Sequence, residues 1–136
     1  MKKVIYTLAL LFASQSVFAE VAVIVHPSNA SSISETEVAR IFTGKMKSFP
    51  GGGQAIPINL SSNSPSTNEF NEKALNKSNS QLKAYWSKLV FTGKGTPPKE
   101  VDSDAEMLSL ISNNPSFIGY IDSSAVTDAV KVVAKF

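Results

Sequence analysis

The chain has 136 residues, no cysteine, one histidine, and 13 basic against 11 acidic side chains. Without cysteine there is no disulfide framework, thiolate metal site or cysteine nucleophile, and a lone histidine does not complete a typical metal site. Setting aside Lys2 and Lys3 in a leader-like N-terminus leaves 11 basic and 11 acidic residues, with Arg40 the sole arginine; such a balance does not suit nucleic acid, whose binding neutralises phosphates.

Residues 1–19 read as a cleavable signal peptide. Lys2 and Lys3 form a positive start, Val4 to Ala13 is mostly apolar, and Val17-Phe18-Ala19 supplies a small-x-Ala ending. The apolar run is shorter than the roughly 20 residues that a membrane-spanning helix needs, so no stable membrane span is expected. The expected mature protein is periplasmic and starts at Glu20. Subtracting the first 19 residues leaves 117, enough for one domain over 20–136 held by an ordinary core.

Val21 to His26 is a near-continuous β-branched run ended by Pro27-Ser28-Asn29, which predicts a buried strand inside a mixed or parallel sheet. Ser34 and Glu37 form a capping box that opens a helix burying Val38, Ile41 and Phe42 and stopping at Gly44. Pro50 to Gly53 is a loop. Ala55 to Leu60 follows as a short strand, with Pro57 suggesting an edge position. Ser64-Pro65 suits an N-cap and first helical residue, predicting a helix through Phe70 and Leu75.

A second capping box, Ser78 to Gln81, starts a helix whose stripe of Leu82, Tyr85, Trp86 and Leu89 reads as core. Thr96-Pro97-Pro98 is an extended connector. Ser103 and Glu106 cap a helix carrying Met107, Leu110 and Ile111, stopped by Asn113-Asn114-Pro115, and Phe117 to Ile121 and Val130 to Val133 are closing strands. Strands separated by helices imply an α/β layer sandwich. The segments Ile41-Phe42-Thr43-Gly44-Lys45 and Val90-Phe91-Thr92-Gly93-Lys94 repeat one pattern, read as two similar glycine-ended helix C-termini.

Among candidate sites, the loop from Ser61 to Thr67 has the most chemistry. A helix N-terminus attracts oxyanions through free N–H groups and partial positive charge. Ser64, Ser66 and Thr67 add neutral donors; the alternative is that these hydroxyls merely cap the helix. Ser28 and Asn29 follow the first strand, where ligands gather in open α/β sheets, or they form an ordinary solvated turn. His26 reads as a strand-end histidine. The Gly-Lys pairs do not fit a nucleotide loop, since Met46 follows Lys45 and Gly95 follows Lys94. No nucleophile elbow or acid–base set is visible, so no enzyme is expected.

The ordered segments VIVHPSN, SETEVARIFTGK, AIPINL with SNSPSTNEF, YWSKLVFTGKGTPP and FIGYI resemble the small members of the phosphate-binding proteins of ABC transporters, which have the type 2 periplasmic-binding-protein fold. The resemblance covers nearly all of residues 20–136 and implies a single lobe with a mixed sheet flanked by helices. In this family the anion loop reads approximately Arg-x-Asp-x-Ser-Gly-Thr, followed by a phenylalanine. Here Ser64 and Ser66 match the hydroxyl positions and Phe70 is in register, while Leu60 stands at the arginine position, Ser62 at the aspartate and Pro65 at the glycine.

The resemblance implies an exported, non-catalytic solute-binding protein that takes phosphate or a similar oxyanion for an ABC-type uptake system. No cofactor is expected, and the expected partners are the anion and an ABC permease or another periplasmic protein. The alternative is a protein-interaction module of the same fold that has lost the ligand.

Overall fold

The computed structural model describes residues 20–136; the signal-peptide reading of residues 1–19 lies outside the described residues. Five strands and four helices follow in the order β1 (Val21–Val25), α1 (Glu35–Phe42), β2 (Ile56–Leu60), α2 (Pro65–Lys73), α3 (Asn79–Phe91), β3 (Lys99–Val101), α4 (Asp104–Asn113), β4 (Phe117–Asp122) and β5 (Lys131–Lys135) among the described residues. A short 3-10 turn, Ser123–Ala125, joins β4 to the last segment.

The strands form one mixed sheet in the order β3-β2-β4-β1-β5. β2 is parallel to β3 and β4, whereas β1 is antiparallel to both β4 and β5. All five β1 residues are buried, as an unbroken β-branched run between two neighbours requires. This is the single-lobe, mixed-sheet α/β architecture expected.

The strand boundaries differ in instructive places. β1 stops one residue early because the His26 ring turns back, its Nδ1 accepting from the Ser28 N–H at 3.1 Å. β2 is internal rather than an edge. Pro57 is tolerated because β3 reaches only Ile58 to Leu60, so the missing N–H faces no neighbour on that side. α2 ends at Lys73, short of Leu75, and Asn76 adopts a left-handed turn at φ 53°.

Both capping boxes form, around α1 and α3. At α4, Ser103 Oγ accepts from the Glu106 N–H at 3.1 Å, while Glu106 reaches back to the Asp102 N–H at 3.2 Å.

Adjacent residues of β4 divide the core into two layers. Gly119 faces α4, where any added Cβ would meet Met107 and Ile111. Tyr120 faces the other way, stacked on Phe70 of α2 with ring centroids 4.0 Å apart, and Phe42 of α1 meets Phe70 edge-on at 4.7 Å. Thus α4 covers one face of the sheet while α1 and α2 cover the other.

α3 does not join either layer. Only Leu82 of its expected core stripe is buried; Tyr85, Trp86 and Leu89 are half-buried. The helix leans on the end of α1, where Tyr85 Oη donates to the Thr43 carbonyl at 2.6 Å and Trp86 covers Gly44. Helical spacing identified the right stripe but not its surroundings, because no strand lies beneath it.

Candidate functional site

The parallel pairing of β2 with β3 sets Leu60 beside Val101. Each strand runs directly into a helix start, so the N-termini of α2 and α4 emerge side by side at one sheet edge. An open cleft of about 480 Å³ lies between them, lined by Ser61, Asn63, Ser64 and Pro65 on one side and Asp102, Ser103 and Asp104 on the other. Ligands in open α/β folds collect at this carboxyl end of parallel strands.

Ser64 is the N-cap residue of α2, yet its side chain makes no capping bond. Its hydroxyl is therefore uncommitted at the cleft. The backbone around it is closed by the Ser64 N–H donating to the Ser61 carbonyl at 2.9 Å and the Thr67 N–H donating to the Ser64 carbonyl at 3.1 Å. Pro65 has no N–H, so the first free backbone donor of the helix is Ser66. The Ser66 residue itself is only 6% exposed.

Thr67 has a different role. Its Oγ1 donates to the Ser61 carbonyl at 2.7 Å and lies 3.3 Å from the Leu60 carbonyl, so the hydroxyl is turned inward and holds the loop against the end of β2. Beneath it Tyr120 is fully buried, and its Oη has no hydrogen-bond partner of ordinary geometry. Burial pushes the Tyr120 phenol up to about 12, only partly offset by the nearby Thr67 side chain and Leu60 backbone.

The electrostatics of the cleft are divided. Two helix N-termini contribute positive potential, but Asp102 and Asp104 add carboxylates. Burial, then repulsion from Asp122, holds the Asp104 carboxyl above its usual range against an opposing bond from the Asp122 backbone. Asp122 is held below its usual range by the Ser124 hydroxyl and N–H, at 2.6 and 2.9 Å. Leu60 is buried, so nothing replaces the guanidinium that a loop arginine would bring. No group of His, Cys, Asp and Glu among the described residues is arranged to hold a metal ion.

Ser28 and Asn29 are not brought into this cleft. Because β1 is antiparallel, Val25 pairs with Ile118 while Val21 pairs with Asp122. The turn after β1 thus leaves the sheet at the end opposite the one where Leu60 leads into the Ser61 loop. Asn29 Oδ1 accepts from the Ser31 N–H at 2.9 Å, its carbonyl accepts from Lys131 Nζ at 3.0 Å, and Ser28 Oγ lies 2.7 Å from His26 Nδ1. The strand-end rule applied to β1 presumed a parallel neighbour.

Sequence reasoning also missed the second wall of the cleft. The sequence reading takes Ser103 as a cap alone, and it assigns no element to Lys99–Val101, because three residues after two prolines give no strand periodicity. The Glu100-Val101 pair before a capping serine was the only local signal.

No protein-family model matches the sequence, and no curated protein matches it either. Solved structures do match. An ABC-type phosphate transport receptor from Vibrio cholerae aligns with a TM-score of 0.65 at 16% identity, over 85% of this chain and 46% of that one. A Clostridium perfringens protein, described as a phosphate ABC transporter substrate-binding protein and solved with bound phosphate, aligns at 0.67 and 23%, over 85% and 45%. PstS from Borrelia burgdorferi aligns at 0.59 and 20%, over 88% and 49%. The chain spans less than half the length of each of these structures, and its likeness to them is one of fold: a single-lobe α/β unit of the periplasmic-binding-protein type.

Proposed function

We propose that the protein is an exported, non-catalytic binding protein whose cleft between α2 and α4 takes phosphate or a similar oxyanion on behalf of an ABC-type uptake system. The observation that carries this reading is the convergence of two helix N-termini at the carboxyl edge of parallel strands, with Ser64 Oγ uncommitted between them. Ser64 Oγ supplies a donor from one side and the Ser103 hydroxyl faces it from the other; the Ser66 N–H would join them only through the helix start behind Pro65. Thr67 positions the loop rather than touching the anion. Asp102 and Asp104 disfavour a fully deprotonated anion, but they offer an acceptor to the proton that phosphate carries and sulfate lacks. The fold match to a phosphate transport receptor and to a phosphate ABC transporter substrate-binding protein supports the ligand class.

Calorimetric titration of residues 20–136 with phosphate and sulfate tests this. Binding of phosphate in preference to sulfate, weakened by Ser64→Ala, supports it. Absence of both heat and thermal shift at millimolar phosphate overturns it, because a bound ligand stabilises by RT ln(1 + [L]/Kd). The second reading, a docking module that has lost the ligand, is favoured by the apolar surface left uncovered on α3.

A further inference from the structure

The Tyr120 hydroxyl is a polar group that the fold buries without using. Tyr120 is fully buried and its Oη has no hydrogen-bond partner, an arrangement that native interiors avoid. The ring is not free to search for one. It lies flat on Phe70, with centroids 4.0 Å apart and planes within 11°, and Phe42 closes on it at 5.8 Å. A phenol oxygen sits on the flip axis of its ring, so Oη stays where it is. A partner has to come from the groups beside it, the Thr67 side chain and the Leu60 backbone.

Those two groups bracket the cleft loop, Leu60 as the last residue of β2 and Thr67 as the third of α2. Thr67 Oγ1 has two carbonyls within reach, Ser61 at 2.7 Å and Leu60 at 3.3 Å. A hydroxyl donates one proton and can accept two. With its proton on Ser61, Thr67 ties the loop to α2 and Tyr120 goes without. The Ser61 carbonyl also accepts from the Ser64 N–H at 2.9 Å, so it stays paired if Thr67 leaves it. Turning the Thr67 proton to Leu60 and its oxygen toward the ring gives Oη an acceptor and loses only the Ser61 tether. One arrangement satisfies the loop and the other satisfies the phenol. A buried hydroxyl left unpaired and a tether of ordinary length carry comparable weight, so the folded protein can exchange between them.

We infer that Tyr120 is a positioning residue of the cleft loop: its hydroxyl competes with the Ser61 carbonyl for Thr67 and so sets how tightly the segment carrying Ser64 is held. Tyr120 acts through Thr67 and touches no ligand. The bearing of this on an anion rests on the reading of the cleft proposed above, whereas the competition for Thr67 does not.

Amide hydrogen exchange of wild type, Tyr120→Phe, Thr67→Val and the double variant tests this. The Ser64 and Thr67 amides, which close the loop, report on it, and the β1 amides report on the whole fold. Tyr120→Phe keeps the ring stack and deletes the competitor, so the loop amides should exchange more slowly by about fivefold, the weight of one hydrogen bond. In the Thr67→Val background, where no hydroxyl is left to compete for, that slowing should disappear, while the β1 amides respond to Tyr120→Phe alike in both backgrounds. Thr67→Ser keeps the hydroxyl and should restore the coupling. Loop exchange that is unchanged or faster in Tyr120→Phe overturns the proposal. So does slowing by the same factor with and without the Thr67 hydroxyl, which is what a merely structural phenol gives. Calorimetric titration with phosphate separates the two readings. Tyr120→Phe should bind phosphate at least as tightly as wild type, and weaker binding overturns the positioning role. Absence of phosphate binding in both proteins, with the loop coupling intact, overturns the anion reading alone.

Discussion

Phe42 and Phe91 occupy the same position in two copies of one helix ending, yet Phe42 is 1% exposed and Phe91 is 92% exposed. The local chemistry is the same in both. Thr43 and Thr92 cap their helices with hydroxyls on the carbonyls of Ala39 and Lys88, at 2.7 and 2.9 Å. Gly44 and Gly93 turn left-handed at φ 77° and 68°, and the Lys45 and Lys94 N–H groups each close back to a helical carbonyl at 2.8 Å. What differs is what lies beneath: α1 rests on the aromatic layer of the sheet, and the end of α3 rests on nothing.

The two phenylalanines should accordingly respond in opposite ways to truncation. Phe42→Ala is expected to cost about 3–5 kcal/mol, and Phe91→Ala to stay within about 0.5 kcal/mol. Urea unfolding of both variants checks the contrast, and a large loss in Phe91→Ala would show that the α3 end is covered.

Tyr120 joins favourable packing to an unfavourable hydroxyl. Tyr120→Phe keeps the stack on Phe70 and removes the buried unpartnered Oη, so it should be neutral or stabilising by up to about 2 kcal/mol. Its pH signature is also definite. The folded pKa lies above the ordinary value of 10.0, at about 12, so the unfolded chain releases the phenolic proton first. The contribution is whole below pH ~10 and is lost as pH climbs toward 12, by roughly 3 kcal/mol in all. Denaturation of wild type and Tyr120→Phe across this range should show the variant losing less.

Gly119 is small because α4 passes directly over it. Gly119→Ala places a methyl group against Met107 and Ile111, both fully buried, and overpacking of this kind costs about 1–3 kcal/mol. Adding Met107→Ala should recover part of that loss in the double variant; strict additivity would show that the two sites do not meet.

At the cleft, Asp104→Asn removes a negative charge beside the anion while its Oδ1 remains an acceptor for the phosphate proton. Phosphate affinity should rise several-fold, equivalent to about 1 kcal/mol, in calorimetric titration at neutral pH. Because burial and Asp122 hold the Asp104 carboxyl above its usual range, wild-type affinity should rise as pH falls into the carboxylate range while Asp104→Asn shows less of this rise. Equal pH profiles would place the anion elsewhere.

Much of this architecture could be read from residue order. The three serine N-caps at Ser34, Ser78 and Ser103, the glycine endings and the β-branched run of β1 are local signals, and each formed where it was expected. Strand direction is not local. Nothing in VAVIV says that it runs against β4, yet that fact alone separates Ser28 and Asn29 from Ser64. The inward turn of Thr67 is likewise set by the Ser61 carbonyl that β2 delivers to it. The second wall of the cleft, Asp102 to Asp104, depends on β3 pairing with β2 across some forty residues of chain.

β1 is the first of the described strands to be synthesised, but its two ladder partners, β4 and β5, are the last. Pairing Ala22 with Lys135 closes a loop of almost the whole described chain, a contact order that slows folding and penalises partial structures. A nascent chain that has not yet reached β4 therefore carries its most apolar strand without either neighbour. β1 stays without its ladder neighbours until β4 and β5 have been made, which leaves both of its apolar faces open to chaperones in the meantime.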